Sequence, residues 1–252
     1  MRTALLRAAG ELAFLLLWFW LFTRLDAVVG TDFAAANADA SALQAIEHAI
    51  HLDVERSVND WLAGHPVLGH LAVYVYRLYY VVVAGVLVWV FARRAAVYRA
   101  VRRTMVAMTA LVLLVYWAVP MAPPRSALPG AVDIVARYDI LGEAGRASWT
   151  HPTHYTAMPS MHVGWSLWCA YAVWTALQST HPRAAWAAWA FPALMVAVVL
   201  GTGNHYVLDV AGSVALLAVS IGVASLWGRF VARPASGFLH SPRRGPWRGA
   251  VR

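Results

Sequence analysis

Long apolar runs alternate with polar segments along this chain. Six runs approach the 20 or so residues that an α-helix needs to cross a bilayer. They lie near residues 4–23, 68–92, 103–121, 161–179, 184–202 and 206–228. The pattern predicts an all-α, polytopic membrane protein with a six-helix transmembrane bundle. Arg2 and Arg7 ahead of the first run also fit a signal peptide, but no convincing small-residue cleavage site follows closely, so we expect this span to be retained.

The polar stretch between the first two runs has the periodicity of a helix. Ser41 and Gln44 have the spacing of a capping box, and apolar residues recur at steps of three or four from Leu43 to Trp61. The pattern predicts an amphipathic helix over 41–63. Its expected polar face carries Glu47, His51, Glu55 and Asp60. Such a helix fits the outer membrane surface and equally fits a cap on the bundle, because periodicity does not distinguish lipid from protein.

Arginine placement orients the predicted bundle. All 20 basic residues are Arg, and 14 of them lie in the N-terminus, 93–103, 180–183 and the tail from Arg229. The loops 24–67 and 122–158 hold 10 of the 12 acidic residues. By the positive-inside rule, both termini are cytoplasmic and these loops lie outside. We therefore expect an integral plasma-membrane protein whose long acidic loops face outward.

Composition agrees with this assignment. The chain is 61% hydrophobic and 13% charged, whereas soluble domains have roughly half apolar and a quarter charged residues. Its net charge of +8 raises the question of nucleic acid, but no nucleic-acid motif accompanies it, and we expect no such partner. The single Cys169 excludes an intramolecular disulfide.

We expect three regions along the chain. Residues 1–67 hold the first span and the outer helix, and 68–228 form a five-span core. Residues 229–252 form a basic tail rich in Pro and Gly, which we expect to be disordered at the anionic inner leaflet.

Two polar clusters interrupt the apolar runs at the predicted outer boundary, 159–162 and 203–209. On a helix, His205 and Asp209 are four residues apart and share a face. Asp209 can then fix the tautomer of His205 and leave its other ring nitrogen as a base, ligand or nucleophile. His162 is the complementary acid. Ionisable residues at such positions in a membrane protein are costly and usually functional.

Several neighbouring residues favour an anionic ligand, with phosphate the natural candidate. Ser160 follows Pro159 in what would be the first turn of a helix, where free N–H groups attract anions. Arg125, mounted behind two prolines, can clamp phosphoryl oxygens. Arg77 in the second span contacts a lipid phosphate or snorkels outward, and both readings fit. Tyr155 and Asn204 are further candidates for the pocket lining.

The rival reading of the same residues is a metal site. His162, His205 and Asp209 make up a two-histidine, one-carboxylate set. Ser160 and a fixed arginine suit an anion better than a cation, so we predict no metal and no cofactor.

At these residues the chain resembles a known family. The segments 158–162 and 204–206 with Asp209 resemble the second and third signature motifs of the type 2 phosphatidic acid phosphatase superfamily, most closely its inositol phosphorylceramide synthase branch and bacterial relatives. The resemblance covers roughly residues 40–228 and implies a six-helix, metal-independent membrane enzyme. It implies that His205 attacks phosphorus and becomes a phosphohistidine, that Asp209 orients it and that His162 protonates the departing alcohol. Ser160 and Arg125 would hold phosphoryl oxygens.

The chain departs from the superfamily pattern at two positions. Hydrolytic members usually carry a Lys before the first-motif Arg and an Arg six residues before the third-motif His. This chain has no Lys, and Val199 occupies the second position. Either Arg77 or another Arg substitutes, or the chain belongs to the synthase-like branch, which we favour.

The expected activity is therefore phosphoryl or headgroup transfer from a phospholipid or isoprenyl phosphate, to an alcohol such as inositol or to water. Two other classes of function remain open. A transporter would use Arg77, His205 and Asp209 as an ion path, but it predicts charges spread through the membrane depth, whereas these cluster at one boundary. A noncatalytic lipid-binding protein would tolerate replacement of both histidines.

Overall fold

The computed structural model describes residues 2–139 and 155–232, with side chains from residue 5 to residue 231 within those ranges. The predicted disordered tail lies outside the described residues except for its first four. Those four were assigned wrongly, because residues 229–232 continue the last helix.

The described residues are 79% helical and form no strand, which confirms the all-α prediction. Their one β-type pairing is an isolated bridge between Met121 and Thr156. The helices are α1 (Arg2–Asp26), α2 (Phe33–Ala49), α3 (Glu55–Ala63), α4 (Pro66–Arg93), α5 (Ala95–Ala118), α6 (Pro124–Ala127), α7 (Ile134–Arg137), α8 (Met161–Leu177), α9 (Pro182–Ala187), α10 (Ala190–Gly201) and α11 (Val207–Ala232).

Five segments in the described part of the chain are long and apolar enough to cross a membrane. They are α1, α4, α5, the α9–α10 pair and α11. Helix α8 has 17 residues, at the short end of the range for a membrane helix. It packs against α4, α10 and α11. Because α8 is shorter than each of the five segments above, the sixth span stays a prediction.

The third predicted span begins earlier than expected, because α5 starts at Ala95. The predicted loop 93–103 shrinks to a break at Arg94, and Arg102 lies within the helix. Its charge is tolerated because it pairs with Glu11 of α1, which also accepts a hydrogen bond from Tyr98 (2.9 Å). Paired charges of this kind are the usual exception to the cost of burying an ion.

The predicted amphipathic helix over 41–63 is wrong in its continuity. The chain forms two helices, α2 and α3, separated where His51 adopts a positive φ of 58°. Helix α2 starts at the cap Asp32, whose carboxylate accepts from Ala35 N–H, and Ser41 lies inside the helix, where its hydroxyl donates to the Asn37 carbonyl. The capping-box assignment is therefore also wrong.

The predicted polar face of that segment is wrong as well. Glu47 and Glu55 are buried, whereas Ile46, Ile50 and Trp61 are exposed. Periodicity left open whether the apolar face meets lipid or protein; several of its residues are exposed, and the two acids have backbone partners inside the protein. The exposed surface of α2 and α3 therefore carries large apolar side chains beside charged ones such as Asp60.

The packing of the bundle positions two helix N-termini side by side. The backbone N–H of Ser160, before α8, donates to the Asp209 carbonyl in α11 (3.4 Å). The Ser213 hydroxyl of α11 donates to the Ser160 carbonyl (2.9 Å). Below this junction Trp168 is fully buried and its indole donates to the Val101 carbonyl of α5 (3.1 Å). The two sequence clusters thus meet at one end of the bundle.

Candidate active site

His205 lies in the tight turn between α10 and α11. The N–H groups of Asn204 and His205 both donate to the Val199 carbonyl, at 3.1 and 3.3 Å. Gly203 makes the turn with a positive φ of 71°, and a Cβ there would lie 3.1 Å from the Asn59 side-chain nitrogen. A residue with a side chain is therefore disfavoured at this position on two counts.

One ring nitrogen of His205 is held by two acceptors. Its Nδ1 lies 2.8 Å from the Ala157 carbonyl oxygen and 3.3 Å from Asp209 Oδ2. Since a carbonyl can only accept, we assign the proton to Nδ1, which leaves the lone pair on Nε2. Helical spacing predicts the Asp209 contact. The shorter contact, to Ala157, has no signal in the sequence because any residue supplies a carbonyl.

His162 faces His205 across a short gap. The ring centroids are 6.0 Å apart with an interplanar angle of 55°. Tyr76 of α4 stacks on the His162 ring at 4.0 Å and 18°, and Tyr79 contacts it at 4.5 Å. These tyrosines, three residues apart on one helix face, fix the orientation of the imidazole. Their spacing beside Arg77 is the sequence signal that could have found them.

Ser160 caps α8. Its hydroxyl accepts from Val163 N–H (3.4 Å), and its side chain is completely buried. The preceding Pro159, joined to Met158 by a cis peptide bond, offers its carbonyl to the Tyr116 hydroxyl (3.2 Å). The hydroxyl of Ser160 therefore has a structural partner in addition to any ligand it would bind.

Arg125 of α6 is attached to the His205 turn. Its backbone N–H donates to the Gly203 carbonyl (2.8 Å), and its guanidinium donates to Asn204 Oδ1. On its other side, Nε lies 3.2 Å from Asp133 Oδ2. Asp133, which caps α7, was not predicted as a site residue. It sets the direction of the arginine, while the Asn204 amide nitrogen donates to Thr202 and so turns its oxygen toward Arg125.

Arg77 is buried within α4, with 8% of its side chain exposed. Its terminal nitrogen lies 3.5 Å from Asp139 Oδ1. Arg77 follows Tyr76 on α4, whose ring stacks on His162. Val199, which stands where hydrolytic relatives carry an arginine, is fully buried in the apolar core.

Tyr155 takes part in a different arrangement. Its N–H donates to the Gly30 carbonyl (2.7 Å), its own carbonyl accepts from Met121 N–H (2.7 Å), and its ring contacts Phe33 at 5.6 Å. These contacts tie the segment before Ala157 to the start of α2. The structure thus gives Tyr155 a role in holding the Ala157 carbonyl in place.

Two buried acids from outside the predicted spans reach the same turn. Glu47 of α2 accepts from Leu208 N–H (2.7 Å), and Glu55 of α3 accepts from Val207 N–H (2.9 Å). Burial raises the pKa of Glu47 to about 8, and the neighbouring Glu55 and Asp209 add to the rise. Sequence reasoning placed both acids on the polar face of an amphipathic helix and did not identify their partners, which lie more than 150 residues away.

The combined site favours an anion. The N-terminus of α8 and the side chains of Arg125 and Arg77 contribute positive potential at this end of the bundle. Within residues 2–139 and 155–232, no three His, Cys, Asp or Glu side chains are grouped so that they could hold a metal ion. The fold and site together define a helical integral membrane protein with a paired-histidine centre.

Comparison with known families agrees with this class. A family model described as the PAP2 superfamily matches residues 41–223, well over half of the chain and a range that contains all the candidate site residues. The chain therefore belongs to the PAP2 superfamily, which points to phosphatases and phosphotransferases of lipid-like phosphates. No curated protein and no solved structure matches the chain.

Proposed function

We propose that this protein transfers a phosphoryl group from a lipid phosphate through a phosphohistidine on Nε2 of His205. The observation that carries the proposal is the fixed tautomer of His205. The Ala157 carbonyl and Asp209 both engage Nδ1, so the nucleophilic lone pair lies on the other nitrogen, on a ring 6.0 Å from that of His162. An oriented and correctly protonated imidazole is what nucleophilic catalysis requires.

The reaction balances in two steps. In the first, the Nε2 lone pair of His205 attacks phosphorus, the bond between phosphorus and the ester oxygen breaks, and His162 donates a proton to the departing alcohol. In the second, an acceptor hydroxyl attacks the phosphohistidine and the P–N bond breaks. His162 takes the acceptor's proton, and both histidines return to their starting states.

Arg125 is the proposed clamp for the phosphoryl oxygens, with Ser160 at the start of α8 beside it. Phosphoryl transfer depends mainly on such positioning and on charge stabilisation. Asn204 and Asp133 hold the guanidinium from two sides, which lowers the cost of ordering it when substrate binds. Arg77 is the candidate for an additional cation, because it is buried on α4 next to Tyr76, whose ring stacks on His162.

The acceptor we favour is an alcohol, such as inositol. The chain has no Lys, and Val199 is packed in the apolar core, so two cations of the hydrolytic pattern are missing. The alternative is a lipid phosphate phosphatase, with phosphatidic acid or an isoprenyl phosphate as substrate. It is favoured if Arg77 replaces a missing cation.

The proposed setting is a plasma membrane with both termini cytoplasmic and the site at the outer boundary. The exposed apolar residues of α2 and α3, including Ile46, Ile50 and Trp61, support an interfacial position for this face. We further propose that no metal takes part, and a chelator should leave the rate unchanged. Activity lost on metal removal and restored by a divalent cation would contradict this.

Trapping the intermediate tests the proposal. Purified protein in nanodiscs is incubated with a lipid carrying radiolabelled phosphate, quenched in alkali and analysed for an acid-labile label on the protein. We expect label on the wild type and none on His205→Asn. His181→Asn, which changes an exposed histidine in the loop between α8 and α9, is the matched control and should label normally. Normal turnover by His205→Asn would overturn the mechanism.

The role of His162 is tested with two substrates. An alkyl phosphate needs its leaving oxygen protonated, whereas nitrophenyl phosphate does not. We expect His162→Asn to lose about 10²- to 10⁴-fold on the alkyl ester and much less on the nitrophenyl ester. Equal losses on both would remove His162 from the acid role.

Product analysis identifies the acceptor. Mass spectrometry of reactions with a lipid panel, with and without inositol, separates released phosphate from a phosphoryl group transferred to the added alcohol. Only the second product supports the alcohol acceptor, and phosphate release unchanged by inositol supports the phosphatase.

A further inference from the structure

We propose that Glu47 and Glu55 are positioning residues for the nucleophile, through which the extramembrane helices α2 and α3 hold the start of α11 in its catalytic place. This inference rests on the proposed function of His205. Neither acid touches the histidine. Both act on the backbone that follows it.

The contacts form a continuous series. Three successive backbone N–H groups at the start of α11 each donate to a different carboxylate. Asp209 accepts from Tyr206 (2.8 Å), Glu55 from Val207 (2.9 Å) and Glu47 from Leu208 (2.7 Å). These are the N–H groups that a helix cannot satisfy internally. The caps come from three separate helices, so their formation requires the assembled fold.

The series leads directly to the reacting group. Asp209 uses the same oxygen, Oδ2, for Tyr206 N–H and for His205 Nδ1. Any movement of the first turn of α11 therefore moves the carboxylate against the imidazole. Asn59 of α3 adds a brace from the other side, donating to the carbonyls of Gly201 and Val132, both at 2.9 Å.

Burying two acids side by side is costly unless they are compensated. Burial, together with the nearby Glu55 and Asp209, raises the pKa of Glu47 to about 8, so Glu47 keeps its proton at neutral pH while its Oε1 still accepts from Leu208 N–H. A neutral Glu47 lowers the repulsion between the two acids at the positive end of α11. An apolar pair would pack more simply, but it would leave the N–H groups of Val207 and Leu208 without acceptors.

The arrangement also directs the substrate. Because carboxyl groups occupy the first N–H groups of α11, that helix end has no free donor for a phosphate. The neighbouring end of α8 is capped by the neutral Ser160 hydroxyl. The acids thereby leave one of the two helix ends for the phosphate and use the other to hold the nucleophile.

Matched substitutions test this role. Alanine at Glu47 or Glu55 removes an acceptor, and we expect kcat to fall about 10- to 100-fold, as small misplacements of catalytic groups do, with KM changed less than about threefold. Glu47→Gln and Glu55→Gln keep an acceptor oxygen and should restore most of kcat. Asp60→Asn, which changes an exposed acid on α3, should match the wild type.

Two readouts separate positioning from general destabilisation. Hydrogen exchange of the amides of residues 206–208 should accelerate in the alanine variants and not in Asp60→Asn. In Glu55→Gln, the loss of negative charge should move the acid limb of the kcat/KM–pH profile to lower pH by a few tenths of a unit. A purely structural acid would leave that limb in place.

The outcomes distinguish this inference from the function on which it rests. Wild-type kcat and wild-type exchange in both alanine variants would overturn the positioning role while the phosphohistidine stands. A wild-type protein without phosphoenzyme would overturn the function, and exchange at 206–208 would still decide whether the acids hold the helix. If the alanine variants fail to fold, the glutamine variants decide. An unshifted acid limb in Glu55→Gln overturns the inference.

Discussion

Two helices begin at this site with opposite electrostatic environments. Helix α8 starts at Ser160, a neutral cap, close to the start of α11. Helix α11 starts among three carboxylates, one on each of its first free N–H groups. The two ends have the same backbone dipole and therefore the same attraction for anions. The side chains around them decide which anion each one receives.

The difference shows how one structural element serves two purposes in a single site. At α8 the positive end is left for a ligand that comes and goes. At α11 the same positive end binds permanent protein carboxylates, so it becomes a rigid mount for His205 and Asp209. An active site for phosphate needs both arrangements. If the helix end that carries the nucleophile were open to anions, the substrate phosphate would bind there and not where the nucleophile attacks it.

The largest expected effect comes from Arg125→Ala, which removes the proposed phosphoryl clamp. We expect kcat/KM to fall about 10²- to 10³-fold, the usual loss for one donor to a charged transition state. Arg125→Lys should recover only part, since a lysine cannot bridge Asn204 and Asp133 in the same fork. Arg137→Ala, at an exposed arginine on α7, is the control. Steady-state kinetics on a lipid phosphate measure all three, and an active Arg125→Ala would remove the clamp.

A negative charge placed at the start of α8 should make its electrostatic environment resemble that of the start of α11. Ser160→Asp provides a good helix cap, as aspartate does elsewhere, but puts a carboxylate where we expect the phosphate. Ser160→Asn introduces a side chain of nearly the same shape as that of aspartate, without the charge. We expect kcat/KM of the Asp variant to be about 10- to 100-fold below that of the Asn variant. Equal activities would show that phosphate does not approach this end of α8.

A smaller effect is expected when the carboxylate nearest the nucleophile is neutralised. In Asp209→Asn, the Ala157 carbonyl still accepts from Nδ1 of His205, so the tautomer survives. We expect kcat to fall about tenfold, by loss of charge stabilisation, and the phosphoenzyme still to form. Single-turnover labelling of the protein measures whether the phosphoenzyme forms and how fast. Complete loss of labelling would mean that Asp209, and not Ala157, sets the tautomer.

The smallest expected effect is on how the stability of the protein depends on pH, and it comes from Glu47 at the start of α11. The pKa of Glu47 is raised in the folded protein from 4.5 to about 8, so its contribution to stability is fully present below 4.5 and is lost as pH rises through 8. The groups that face it are Glu55 of α3 and Asp209 of α11. We expect the Tm of Glu47→Gln to gain about 2–6 °C on the wild type between about pH 6 and about pH 9. A constant difference over that range would contradict a buried, proton-holding Glu47.

Local patterns predicted much of the fold and part of the site. Apolar run length predicted the membrane helices because backbone hydrogen bonds must be satisfied within a span. Helical spacing predicted that His205 and Asp209 would meet, and they lie 3.3 Å apart. The break at His51 was missed because the apolar periodicity continues through it, while the backbone turns at a single residue.

Contacts between distant segments were beyond the reach of such patterns. Asp133 and Arg125 are eight residues apart but lie on different short helices, and Glu47 meets Leu208 across 161 residues. Glu47 and Glu55 are residues of a type that usually faces water, and only the tertiary packing of α2 and α3 turns them into the protein.

The sequence by itself determined that this is a helical membrane protein with two histidines, an aspartate and an arginine at one boundary, because run length, periodicity and residue chemistry are local properties of the chain. The tertiary structure decided which groups work together. It selected the Ala157 carbonyl as the closest partner of His205, attached Arg125 to Asn204, and brought Glu47 and Glu55 to the start of α11. The physical reason is that a hydrogen bond depends on where two atoms meet in space, and packing alone brings such distant segments together.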